Sequence, residues 1–398
     1  MHSSASLEYL AVAVAVAKPR VIIIANNIDE LGGAQRVVHV LAQGLALRGY
    51  PIELVGVVPH PQKHRYVIDP AYQSTTLMSE TWPPPIAPSG PLGKYRPQVR
   101  KRQATRARLR AAAIERLREI LTSGPPGVII CAQLWAMEYL RAVGYGNWLV
   151  VGQYHASFEA AASGRDLRRA LRNYQDVSTV ALLTAEDAAQ FADAGLRNVC
   201  WLPNPLSFWP VETAKLRGQT LTYLGRLSAE KGPEILLDAW SRLDQRFAGW
   251  QLQFIGTGPL EGALRAQAGA LGPAGQRVFF RSPVEDPARV LLESDVLALP
   301  SLTEGFPLVL AEAMACGLPV VAADCAPGVR VLIRDGVNGL LAVRGDAGNL
   351  AEKLARVMDS IELRQSLGAA ARTSVAYLQA PQVLDQWESL IAEVTSAH

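Results

Sequence analysis

Residues able to handle phosphates and hydroxyl groups fall in three short segments of this chain. Residues 225–232 read GRLSAEKG, with Arg226 and Lys231 five apart in a loop bounded by glycines. Such a pair can converge on a diphosphate, the guanidinium as a rigid fork and the ammonium as a point charge. A solvated loop with two ordinary surface cations is the competing reading. The segment is not a Walker loop, because G-x-x-x-x-G-K-[ST] is not met. Residues 304–312 read EGFPLVLAE. Pro307 suits the first position of a helix, leaving the N–H groups of Gly305, Phe306 and Leu308 at its start, where they suit phosphate oxygens. Glu304 precedes that helix and Glu312 lies about a turn and a half inside it. Two carboxylates so placed can hydrogen-bond different hydroxyls of one extended ligand. An acid within the apolar run 309–315 is costly unless paired. Residues 26–36 carry Gly32 and Gly33 ahead of a helical pattern. Backbone there can approach a ligand closely, and the helix start offers N–H groups to an anion. A plain strand-to-helix turn would look the same. The G-x-G-x-x-G fingerprint is absent, which counts against a dinucleotide cofactor. His155 follows an apolar run at 148–152; alone, a histidine is more often a surface or core-satisfied residue.

Short β-branched runs alternating with amphipathic stretches predict the scaffold: an α/β protein with parallel sheets and crossover helices. Strands are expected at 21–25, 52–58, 127–131, 148–152, 177–183 and 199–202. A helix is expected at 34–48, an arginine-rich one after 97, and one capped by Thr184. The alternation restarts with strand 221–225, helix 231–246, strand 251–256, helix 260–268, strands 277–280 and 296–299, helix 307–316 and strand 319–322. Helical segments follow residue 347. Residues 59–97 dissolve into proline-rich sequence including Trp82-Pro83-Pro84-Pro85, and a structureless stretch of that length marks a functional or mobile loop. Asn204-Pro205 begins a linker. Two similar domains are therefore expected, 1–203 and 204–380, with a last helix at 381–398 packing back on the first. Open parallel sheets bind ligands beyond the carboxyl ends of their strands. All three segments stand there.

Length and charge bound the alternatives. The chain has 398 residues, 49% of them hydrophobic, and a formal charge of +3, which excludes a disordered or low-complexity chain. Its four cysteines, Cys131, Cys200, Cys316 and Cys325, are widely spaced and form no zinc or disulfide pattern. The apolar run 10–17 is too short to span a membrane and lacks the flanks of a signal peptide. A cytoplasmic protein is the expectation. Residues 94–118 hold ten Lys or Arg, from Lys94 and Arg96 to Arg118, against the single acid Glu115. The rest of the chain is therefore net acidic. Leu109, Ala113, Leu117 and Ile120 give the stripe an apolar side at helical spacing. The plain reading is a docked surface helix. The functional one is that Arg100, Lys101, Arg102, Arg106 and Arg110 attract anionic headgroups on the inner face of the plasma membrane, or an acceptor there. Nucleic acid is disfavoured because the stripe interleaves no stacking aromatics.

Taken together the segments resemble the retaining nucleotide-sugar glycosyltransferases of family 4, whose GT-B fold is two Rossmann-like domains facing across a cleft. The resemblance covers nearly the whole chain. Its most specific part is Glu304 to Glu312 with the following AMACGLPVV; Arg226 through Gly232, the turn GTGPL at 256–260 and DGVNGLL at 335–341 match in order and spacing. Gln35 stands where many relatives have Glu, Ser282 where Gly is frequent, and Val331 where Glu is often seen.

The resemblance implies that Arg226 and Lys231 neutralise the donor diphosphate, helped by the amides of Gly305, Phe306 and Leu308 around Pro307. Glu312 would hold the ribose, Glu304 and His155 the transferred sugar, and Gly32 and Gly33 the phosphate and acceptor side. Gly258, Ser282, Pro283 and Val284 would complete the donor site, the last three at the base. The implied activity moves a hexose or N-acetylhexosamine from a UDP-sugar, or second a GDP-sugar, to a glycan acceptor. That acceptor would be lipid-linked, in cell-surface polysaccharide or glycolipid synthesis. No metal or other cofactor is expected, since no Asp-x-Asp stands in a donor loop. A sugar-nucleotide epimerase on the same fold and a non-catalytic sugar- or lipid-binding protein are the alternatives.

Overall fold

The computed structural model describes residues 18–82, 97–243 and 245–397. The apolar run 10–17, the prolines at 83–85 and the stripe residues Lys94 and Arg96 lie outside them. Seven parallel strands form the first sheet: β1 (Val21–Ala25), β2 (Ile52–Gly56), β3 (Gln73–Thr76), β4 (Val128–Cys131), β5 (Leu149–Gln153), β6 (Thr179–Leu182) and β7 (Val199–Trp201). Their order is β3-β2-β1-β4-β5-β6-β7. The second sheet holds β8 (Thr220–Leu224), β9 (Gln251–Ile255), β10 (Val278–Arg281), β11 (Val296–Leu299), β12 (Val320–Ala323) and β13 (Leu340–Ala342), in the order β10-β9-β8-β11-β12-β13. All pairings in both sheets are parallel. Chain direction across each sheet reverses once, at β1/β4 and at β8/β11. Loops on either side of those switch points part to leave a crevice.

The central strands are covered on both faces, which is why VIIIA at 21–25 and VIIC at 128–131 are unbroken apolar runs. Edge strand β3 reads QSTT and is exposed to half-buried. It breaks the proline-rich stretch expected to be structureless, and pairing with β2 rather than apolar burial forms it. Helices Leu134–Val143, Phe158–Ser163 and Asp166–Tyr174, absent from the sequence expectation, fill the crossovers after β4 and β5. The helix expected at 231–246 is two pieces, a 3-10 turn Ala229–Lys231 and a helix Pro233–Ser241. Gly232 separates them with φ +58, and Pro233 then opens the second piece. The third segment's helix runs Leu308–Ala315, with Pro307 one place earlier than expected, as the cap.

The last helix, Ala380–Ser396, crosses to the first sheet. Val383, Leu384, Trp387 and Ile391 are buried in one cluster with Val37, Leu41 and Leu45 of the helix Gly33–Leu47. At the crossing, a Cβ on Gly44 would stand 2.3 Å from Leu384 Cδ1, so a larger residue there would require the Leu384 side chain to shift. Trp387 is fully buried, with no partner for its indole N–H among the described residues. Trp387→Ala is expected to cost about 3–5 kcal/mol by cavity formation, whereas Trp387→Phe loses no hydrogen bond and costs much less. Thermal unfolding of the two variants checks this; equal losses would contradict it. No helix among the described residues is long and apolar enough to cross a membrane.

Candidate functional site

Between the carboxyl edges of the two sheets lies a cavity of about 610 Å³. Its floor on one side is the loop 30–33 after β1, and on the other the loops after β8 and β9. Arg226, Lys231, Gly32, Gly33, Leu308 and Glu312 all line it, as do Pro283 and Val284. Three segments separated by up to 280 residues are thereby joined around one space.

Local hydrogen bonds set each wall. Asn27 Oδ1 accepts from the N–H groups of Asp29 and Glu30 at 2.8 and 2.7 Å, turning the chain after β1. Tyr66 Oη accepts from Gly32 N at 2.7 Å and donates to Glu30 O at 2.6 Å, bracing the glycine pair. On the opposite wall Tyr223 Oη donates to Arg226 O at 2.6 Å, and Leu227 N donates to Thr257 O at 2.9 Å. The second bond ties the Arg226 loop to the turn containing Gly258. Arg226 itself is mostly exposed, its nearest acid being Glu30 at 3.9 Å. Lys231 Nζ donates to both oxygens of Glu304 at 2.8 Å, and Ser301 Oγ donates to Glu304 Oε1 at 2.7 Å. The cavity therefore presents one loosely held cation and one held by a carboxylate, next to a helix N-terminus. Anions are favoured there.

Glu312 answers the question of the buried acid. Its carboxylate, 5% exposed, accepts from Arg36 Nη1 at 2.6 Å and from Ser207 Oγ at 3.2 Å. Burial pushes its carboxyl above the usual range, and the Arg36 guanidinium works against that rise. One carboxylate thus joins a helix under the first sheet, a helix under the second, and the linker. Neither Arg36 nor Ser207 carries a role in the sequence reading. One signal was available for Arg36: it stands in the first turn of its helix, where the dipole disfavours a cation unless an acid elsewhere pairs with it.

His155, Glu304, Gly305, Phe306 and Pro307 do not line the cavity; they gather beside it, where the sheets touch. Ala156 and Gly305 form an antiparallel bridge, and a Cβ on Gly305 would stand 2.0 Å from His155 O. His155 Nδ1 lies 3.5 Å from Asn204 Nδ2, while its shielded Nε2 has no hydrogen-bond partner among the described residues. Burial lowers the imidazole to about 4 from 6.5, partly opposed by the nearby Ala132 carbonyl. The ring is therefore neutral at pH 7, fit to share a hydrogen bond with a hydroxyl. Because the folded value lies below the unfolded one, the stability tied to His155 is present above pH 6.5 and is lost as pH falls toward 4. An NMR titration is expected to show no His155 transition between pH 5.5 and about 8; a midpoint near 6.5 would contradict it. Ser282 is exposed and lies outside the lining. Arg100, Lys101, Arg102, Arg106 and Arg110 stand on the helix Pro97–Thr122, away from the cavity. Among the described residues no group of three or more His, Cys, Asp or Glu could hold a metal ion.

Two facing parallel sheets with phosphate-suited loops between them make a GT-B architecture, and comparison with known proteins gives the family. The family model described as Glycosyl transferases group 1 matches residues 210–374. An uncharacterized glycosyltransferase of Haemophilus influenzae is 31% identical over 242 residues, 60% of this chain and 68% of that protein. A phosphatidyl-myo-inositol mannosyltransferase of Mycobacterium leprae is 38% identical over 162 residues, 40% of this chain and 42% of that one. Anabaena HepE, crystallised with UDP and glucose, superposes with a TM-score of 0.72 at 20% identity, over 96% of this chain and all of that one. Sucrose-phosphate synthase of Thermosynechococcus elongatus superposes at 0.75 with 19% identity over the same shares. The chain belongs to the group 1 glycosyl transferases and has the GT-B fold.

Proposed function

We propose that this enzyme transfers a hexose or N-acetylhexosamine from a nucleotide-sugar, UDP-linked first and GDP-linked second, to a glycan acceptor with retention of configuration and without a metal. The observation that carries the reading is the convergence of Arg226 and Lys231 with the amino end of the helix Leu308–Ala315 on one interdomain cavity. Negative charge grows on the leaving diphosphate as the sugar C1–O bond breaks. Preorganised cations and amides aimed at that charge lower the barrier more than any other device available here.

Glu304 is spoken for by Lys231 and Ser301, so it serves as an anchor for the cation and a hydrogen-bond acceptor for the sugar rather than a nucleophile. The acceptor hydroxyl then attacks from the face the diphosphate leaves, and a donor phosphate oxygen takes its proton. Glu312 holds the ribose, Pro283 and Val284 face the base, and neutral His155 contacts the sugar. A lipid-linked glycan acceptor suits the basic helix Pro97–Thr122, which would meet anionic headgroups at the inner face of the membrane. HepE with UDP and glucose supports the donor class, and the Mycobacterium mannosyltransferase, named for a phosphoinositide, supports a lipid acceptor. A donor panel read by nucleotide release, with and without candidate acceptors, tests the proposal. Acceptor-dependent release with an axial-to-axial product by NMR is expected for an α-linked donor. Epimer formation from donor alone would overturn it.

A further inference from the structure

We infer that the membrane-facing surface is a three-helix face that also includes Trp135 and the helix Asp166–Tyr174, and that it turns the mouth of the cleft toward an anionic bilayer. This rests on the membrane reading of the helix Pro97–Thr122 and extends it to residues outside that helix.

The length of that helix is the first observation. Twenty-six residues span about 39 Å, whereas β4 beneath it, four residues long, spans roughly 13 Å. Its last turn is tied to the amino edge of the sheet, where Arg20 Nη2 donates to Ile120 O at 3.2 Å and Trp148 Nε1 to Leu121 O at 3.2 Å. The excess length therefore projects past the carboxyl edge, the edge that forms the cleft. Arg100 and Arg106 stand on that overhanging half, and Arg110 follows where the helix meets the core.

The second observation is what lies beside it. Leu134–Val143 packs next to this helix and Asp166–Tyr174 next to that one, and all three bury apolar residues in one core cluster. They form one layer. Cations sit over aromatic rings along it: Arg110 over Tyr139 at 5.2 Å, Arg106 over Trp82 at 4.6 Å and Arg169 over Trp135 at 3.7 Å. Trp135, two residues after the loop that leaves β4, is 56% exposed, so it stands near the cleft edge. A tryptophan left that open in a basic surface suits the headgroup level of a bilayer, where an amphipathic ring sits.

Charge on the third helix is the last observation. Arg165, Arg168 and Arg172 recur at three and four residues, on one side of the helix, and all three are exposed. Among the described residues none of them has an acid within ion-pair distance, whereas Arg169 between them is held by Glu138 and Asp166. Exposed arginines on two helices flanking an exposed tryptophan make a broad face, not a groove. A planar anionic surface fits that shape better than a single polyanionic chain.

Flotation of the full chain with vesicles of equal phosphatidylglycerol and phosphatidylcholine, against phosphatidylcholine alone, tests the inference. The wild type is expected to bind only the anionic vesicles. Trp135→Ala combined with Arg165→Gln, Arg168→Gln and Arg172→Gln is expected to weaken binding about tenfold or more, as is Arg100→Gln with Arg106→Gln and Arg110→Gln. UDP binding should be unchanged in both. Arg165→Lys with Arg168→Lys and Arg172→Lys, which keeps the charge, should bind like wild type and guards against a folding defect. If only the second set matters, the three-helix face is wrong while the membrane reading through the first helix stands. If the wild type ignores the vesicles but binds soluble polyphosphate, both readings fall.

Discussion

Arg226→Ala is expected to lower kcat by about 10²–10³ while the fold survives. The side chain is mostly exposed, Glu30 at 3.9 Å is the one acid among the described residues within ion-pair distance, and the loop that carries Arg226 is held through backbone oxygens by Tyr223 and Thr257. Truncation therefore leaves no buried partner and no broken core. What disappears is a guanidinium aimed into the cavity where the diphosphate charge develops. Lys231→Ala is expected to fall as far in kcat and also to lose stability, because Glu304, 8% exposed, would keep only Ser301. Steady-state kinetics with a circular-dichroism melt separate the two effects. Turnover within roughly threefold of wild type for Arg226→Ala would show that the clamp is assigned wrongly.

The second large effect belongs to Arg36. Arg36→Met keeps the stem but leaves Glu312 buried with only the Ser207 hydroxyl, and breaking such a pair costs roughly 3–5 kcal/mol. The lower end is expected, since 19% of the Arg36 side chain is exposed. The loss should depend on pH. Glu312 already titrates above its unfolded value, so the folded state holds its proton more tightly. Its unfavourable contribution is absent at low pH and grows as pH rises above the ordinary carboxylate range. Removing the arginine pushes the folded value further up and carries that loss to higher pH. Melting temperatures should diverge more at pH 8 than at pH 5. A loss that is the same at both would mean that Arg36 acts by packing, not by charge.

Sequence pattern reveals most of the scaffold because its signals are local. Unbroken β-branched runs at 21–25 and 128–131 are the direct consequence of burial on both faces, so those strands fall where expected. Gln73–Thr76 carries no such signal: a polar edge strand exists only because β2 offers it a partner. Gly232 and Pro233 are punctuation that could have divided the helix expected at 231–246. Segments around Arg226, Lys231 and Glu312 are visible as chemistry because glycines, cations and a helix start are coded within a few residues. Arg36, Ser207 and Glu312 meeting at one carboxylate is different: 276 residues separate the ion pair, and no local pattern states that contact. His155 is a similar case. Its neutral, half-shielded state comes from the bridge between Ala156 and Gly305, which forms only once both sheets are in place.

A crystal structure with UDP bound tests the central claim most directly. The diphosphate is predicted between Arg226 and Lys231, within hydrogen-bond reach of the amides at the start of Leu308–Ala315, with the ribose at Glu312 and the base against Pro283 and Val284. A diphosphate lodged elsewhere, leaving both cations in solvent, would contradict the account.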